Sequence, residues 1–110
     1  MRLRDFSETF GDDLRDPEFV EGYLQEALSL DTPTFLAALQ NVVKANGGVA
    51  KVARAAGRNR ESAYKSLSQA GNPRFDTVRD ILAACGMRLT VTREEKAPEE
   101  ADRSKLVATE

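Results

Sequence analysis

Apolar residues recur at helical spacing along most of this chain, and proline, glycine and asparagine interrupt them at intervals. Phe19, Val20, Tyr23, Leu24, Ala27 and Leu28 fall three and four residues apart. They follow Asp16-Pro17, an N-cap residue with proline at the first helical position, so the pattern predicts a first helix. Thr32-Pro33 repeats that start, and Phe35, Leu36, Leu39, Val42 and Val43 predict a second helix stopped by Asn46-Gly47-Gly48. Val52, Ala53 and Ala56 share the face of a short third helix ending at Gly57. Ala63 and Leu67 lie one turn apart on a fourth, for which Asn59 is a favourable N-cap. Ala70-Gly71-Asn72-Pro73 closes it. Asp76 or Thr77 suits the cap of a fifth helix carrying Val78, Ile81, Leu82 and Cys85, with Gly86 as its stop.

Beyond Gly86 the period changes. Leu89 and Val91 alternate with Thr90 and Thr92 between Arg88 and Arg93, which predicts a short strand. No second strand is evident, so Leu89 and Val91 are expected to pair with their copies in another subunit as a two-stranded ribbon. At the other end, Phe6, Phe10 and Leu14 at four-residue spacing fit a short helical or an irregular arm alike. The expected fold is all-α: five helices with a short C-terminal strand that pairs across a dimer. Its expected organisation is an N-terminal arm over 1–15, a folded domain over 16–93 and a disordered acidic tail over 94–110.

The third and fourth helices, hinged at Gly57 with no room for a flexible loop, have the spacing of a helix-turn-helix. Ala53 supplies the small residue where the helices cross, and Gly57 tolerates positive φ. With Ala63 and Leu67 turned inward, Asn59, Arg60, Glu61, Tyr64 and Lys65 share the outward side of the fourth helix and its entry turn. Such a face can enter a DNA major groove. The fork of Arg60 matches guanine O6 and N7, and Glu61 can accept from a cytosine amino group or hold Arg60 in place. Tyr64 can touch a thymine methyl or a phosphate, and Lys65 a base edge or the backbone. Phosphate contacts are expected from Lys51, Arg58, Arg74 and the helix start near Thr77, where free amides favour an anion. Each residue also has an ordinary reading: Arg60 and Glu61 as surface charges, Tyr64 as packing at the edge of the core.

Charge sharpens this picture, because the net charge of −2 over 110 residues conceals a strong segregation. Up to Val43, three arginines face nine acidic residues. From Lys44 to Arg93 ten basic residues face only Glu61, Asp76 and Asp80, and the tail is acidic again. A basic module between acidic flanks suits a DNA reader with separate partner-binding arms. Catalysis finds little support. The sequence has no histidine, and its one cysteine, Cys85, sits in the periodic setting of a small buried apolar residue. Gly47-Gly48 lacks the strand and the Gly-Lys-Ser/Thr ending of a phosphate-binding loop. No cofactor or metal is expected, no apolar run approaches the ~20 residues of a membrane span, and the start carries no signal-peptide core, so the expected location is the cytoplasm.

Four stretches together resemble a known family: Tyr23-Leu24-Gln25-Glu26-Ala27-Leu28, Phe35-Leu36-Ala37-Ala38-Leu39, Arg60-Glu61-Ser62-Ala63-Tyr64-Lys65-Ser66-Leu67 and Gly71-Asn72-Pro73-Arg74-Phe75-Asp76-Thr77-Val78. In order and spacing they are similar to addiction-module antidotes, small antitoxins of the HigA type with a Cro/C1-like helix-turn-helix. The resemblance implies a homodimer on a palindromic operator of its own operon and a RelE-like toxin neutralised by direct contact. It also implies recognition-helix roles for Arg60, Glu61, Tyr64 and Lys65. Arg58 departs from the pattern, standing where the turn usually carries an apolar residue, and Gly47-Gly48 loosens the link into the third helix. RelE-like toxins are basic, so the acidic arm with Phe6, Phe10 and Leu14 is the expected toxin contact. The alternatives are a stand-alone prophage-type transcriptional regulator without a toxin, and a helical protein–protein adaptor.

Overall fold

The computed structural model describes residues 13–68 and 72–94. Five helices make up the folded unit: α1 Pro17–Leu30, α2 Thr32–Ala45, α3 Val49–Ala55, α4 Arg60–Ser68 and α5 Phe75–Ala84, preceded by a 3-10 turn at Asp13–Arg15. Each predicted helix is present. α1 and α2 are joined through the single residue Asp31, which ends the first and caps the second. Its carboxylate accepts from the Thr34 amide at 2.8 Å, so the cap of α2 is Asp31 and not Thr32. The start of α5 also differs from expectation. Arg74 occupies the N-cap position, which leaves Asp76 and Thr77 inside the first turn.

Three helices end by the same device. At the ends of α2, α3 and α5 a glycine follows the cap in the left-handed region: Gly47, Gly57 and Gly86. In each, the next amide reaches back to a carbonyl in the last turn, as in Gly48 N to Val43 O (2.9 Å), Arg58 N to Ala53 O (2.9 Å) and Met87 N to Leu82 O (2.8 Å). This pairing satisfies carbonyls that a helix end otherwise leaves open, and it fixes the direction in which the chain departs.

The core is continuous through all five helices. Leu39, Val42 and Val43 of α2 and Ile81 of α5 are fully buried, and Val20, Leu24, Val52, Ala53, Ala63 and Leu67 complete it. Leu14 belongs to it as well. Fully buried on the 3-10 turn, it cannot contribute to a free toxin-binding arm as the sequence suggested, because it anchors the start of the folded unit against α1 and α2. Phe6 and Phe10 lie outside the described residues.

No strand occurs among the described residues, and Arg88 to Arg93 runs on without a ladder partner among them. Leu89 and Val91, expected on one common free face, are separated in role. Leu89 packs partly buried against the core, whereas Val91 is 99% exposed. A ribbon burying both against a mate would have to strip Leu89 from its own core.

Candidate nucleic-acid interface

α4 owes its position to contacts at both ends. The left-handed Gly57 turns the chain out of α3, and Asn59 then caps α4, its side-chain oxygen accepting from the Ser62 amide at 2.9 Å. Ala63, Ser66 and Leu67 are buried, which fixes the rotation of the helix about its axis. At the far end the Gln40 side-chain amide of α2 donates to the Leu67 carbonyl at 2.7 Å. One of the last open carbonyls of α4 is thereby satisfied by a neighbouring helix.

Arg58, the residue that departs from the family pattern, fastens the other end. Its guanidinium donates twice to Asp80 Oδ2 of α5, at 3.0 and 2.8 Å, and lies 3.5 Å from Asp76. An apolar turn residue would bury itself against α5; Arg58 reaches the same neighbour through charge, with its side chain 24% exposed. It is therefore committed inside the protein and is not the free phosphate contact the sequence suggested.

The remaining predicted residues divide sharply. Asn59, Arg60, Glu61, Tyr64 and Lys65 are all exposed and occupy one side of α4 and its entry turn, with Tyr64 63% accessible. No hydrogen bond or ion pair ties down the side-chain ends of Arg60, Glu61, Tyr64 or Lys65 within the described residues. Lys51 is exposed on α3. Arg74 is exposed but grips Asp76 with both arms of its fork, at 3.2 and 3.0 Å. Thr77, expected near a phosphate, is completely buried. A carboxylate already stands beside it, because Asp76 lies in the first turn of α5. The Arg74 hydrogen bonds foremost, with the charge of Arg74, the Thr77 amide and Arg58 behind them, hold the Asp76 carboxyl well below the usual carboxylate range. The helix start thus carries its own anion.

Burial pushes the Cys85 thiol up to about 11, so it stays protonated at neutral pH. Among the described residues no cluster of histidine, cysteine or carboxylate side chains could hold a metal ion, and no helix is long and apolar enough to cross a membrane.

Gln40 and Asp80, which hold α4 in place, were missed from sequence. Asp80 had left a signal: in the basic segment the only acids besides Glu61 are Asp76 and Asp80, four residues apart on one helix face, where an unexpectedly charged turn residue could find them.

Comparison with known proteins places the chain in a family. The family model described as "Probable addiction module antidote protein" matches residues 4–93, the whole of the described fold save its last residue. The chain belongs to that family. It is also similar to a protein of Haemophilus influenzae (strain ATCC 51907 / DSM 11121 / KW20 / Rd) described only as an uncharacterized protein. The two are 35% identical over 91 residues, which cover 82% of this chain and 91% of the relative. No solved structure shows significant similarity to the chain. The family match includes α4 and its flanking clamps, and also the acidic residues before α1.

Proposed function

We propose that this chain is the antitoxin of a type II toxin-antitoxin module. In this reading it represses its own operon as a homodimer, entering the operator major groove with α4 of a Cro/C1-like helix-turn-helix. It neutralises a RelE-like toxin by direct contact. Membership of the antidote family supports the antitoxin role. The observation that carries the DNA reading is the exposed face of α4, where a fork donor, a carboxylate, a phenol and an ammonium project from one rigidly held helix. Arg60, at the helix start, is the guanine reader, and Asn59, Glu61, Tyr64 and Lys65 complete the base-facing set. Lys51 supplies a phosphate contact, and Arg74 supplies another from the part of its fork that remains in water.

Toxin contact falls to the acidic residues before the 3-10 turn, with Phe6 and Phe10 as anchors, since charge opposite to a basic toxin speeds and orients association. Removal of residues 1–12, which spares Leu14, is expected to leave DNA binding intact and to abolish toxin binding in a pull-down with the co-expressed toxin.

Fluorescence anisotropy with a labelled duplex from the chain's own promoter, repeated across a salt series, tests the DNA reading. Affinity is expected to fall steeply as salt rises. Arg60→Ala should weaken binding by about 10- to 100-fold and erase preference at one base pair, whereas Lys51→Ala should weaken all sequences alike and reduce the salt slope by about one. A flat salt dependence, or an Arg60→Ala variant that binds as tightly as the wild type, would refute it.

A further inference from the structure

The outward face of α4 and its entry turn carries an open hollow of about 530 Å³. Asn59, Glu61, Ser62, Tyr64 and Lys65 line it, and Arg60 does not. Glu61 and Lys65 are four residues apart, a spacing that puts their Cβ atoms about 5–6 Å from one another on one side of a helix. Among the described residues neither side chain has an ion-pair or hydrogen-bond partner. Exposed pairs of opposite charge attract only weakly through water, so both ends are available to a ligand that offers each a partner. The side-chain oxygen of Asn59 already accepts from the Ser62 amide at 2.9 Å, which leaves its amino group to the hollow. Glu61 is therefore the one carboxylate acceptor there, set among donors and hydroxyls.

We infer that this hollow reads one C·G base pair, with Glu61 accepting from the cytosine amino group and Lys65 donating to guanine O6 and N7 of the same pair. The inference rests on the DNA reading of α4 proposed above and names the base pair that reading takes. In the major groove a C·G pair presents two adjacent acceptors and then one donor, an order that an ammonium beside a carboxylate matches. An A·T pair sets its amino group between two acceptors, adenine N7 and thymine O4, whose lone pairs repel a carboxylate brought to that donor. Because the cytosine amino group and guanine O6 lie side by side, binding also keeps the opposite charges of Glu61 and Lys65 together. The sequence left Glu61 two roles, a cytosine contact or a brace for Arg60. The hollow excludes Arg60 and no ion pair joins it to Glu61, which favours the cytosine contact and leaves Arg60 to a separate base pair.

Fluorescence anisotropy of the full chain on its promoter duplex, with each base pair replaced in turn, provides the test. The wild type should lose about 10- to 100-fold in affinity when the contacted C·G pair becomes T·A, since that change inverts both the donor and the acceptor. Glu61→Ala and Lys65→Met should each abolish preference at that same pair or its symmetry mate, while Arg60→Ala abolishes preference at a different one. Putting 7-deazaguanine, which lacks the N7 acceptor, in the contacted pair should weaken the wild type and leave Lys65→Met unaffected. All three side chains are exposed, so thermal melts of the variants should match the wild type. Three results would each overturn the inference while the DNA reading stands: Glu61→Ala and Lys65→Met relaxing different pairs, an A·T pair at the shared position, or Glu61→Ala relaxing the pair that Arg60→Ala relaxes. A wild type without preference at any base pair would overturn both.

Discussion

Gly57 carries the bend on which the α3–α4 pair depends. Its φ of +70° lies where a side chain clashes with its own backbone, although a Cβ at this position would meet no neighbouring atom within 4 Å. Gly57→Ala should therefore cost about 1 kcal/mol from backbone strain alone, lowering the melting temperature by about 4–8 °C in a calorimetric scan. The glycine and its role are visible in the sequence because turn geometry admits few alternatives. Thr77 shows where such reading stops. A threonine near a helix start has the residue type of a surface cap, and only the packing of α5, which buries it completely, reveals otherwise. For Cys85, periodicity indicated a small buried residue, and the structure leaves it only partly buried at the edge of the core. With the thiol held near 11, alkylation by iodoacetamide at pH 7 should be much slower than for a free cysteine and should quicken only in strong base. Rapid labelling of the folded protein at pH 7 would contradict that burial.

The helices themselves were legible because their stripes, proline starts and glycine stops are local signals. Boundaries set by longer contacts were not. The sequence marks Leu14 as part of an arm, yet its full burial makes the 3-10 turn a working part of the core. Leu14→Ala should cost about 2–5 kcal/mol in urea unfolding, a large fraction of the stability of a small domain. A loss below about 0.5 kcal/mol would return the residue to the surface class. The clamps on α4 belong to the same scale. Asp76 is more acidic in the folded chain than in the unfolded one, so its contribution is present above the unfolded carboxylate pKa of about 4 and is lost as pH falls toward the folded value. Thermal melts should accordingly show Asp76→Asn less stable than wild type at pH 7, with the gap closing progressively below about pH 4. A gap that widened on acidification would reverse the assigned sign.

Across the whole molecule the sequence separates charge before folding begins, and the fold converts that separation into two surfaces. α1 carries glutamates and no cation, whereas α4 and the exposed lysine of α3 present basic side chains beside the exposed residues proposed to read bases. Segment charge made this legible. The clamps through Gln40 and Asp80 were not, because they join residues 27 and 22 positions apart whose pairing depends on how the helices pack. Their effect is to hold the two ends of α4 to its neighbouring helices, α2 and α5. The central claim is that this face, and no other, meets the duplex. Its most direct test is an amide chemical-shift titration of the isotopically labelled full chain with the promoter duplex. Shifts should concentrate on residues 59–65 and on Lys51, with α1 unmoved; shifts centred on α1 and the segment after α5, with 59–65 unchanged, would contradict the claim.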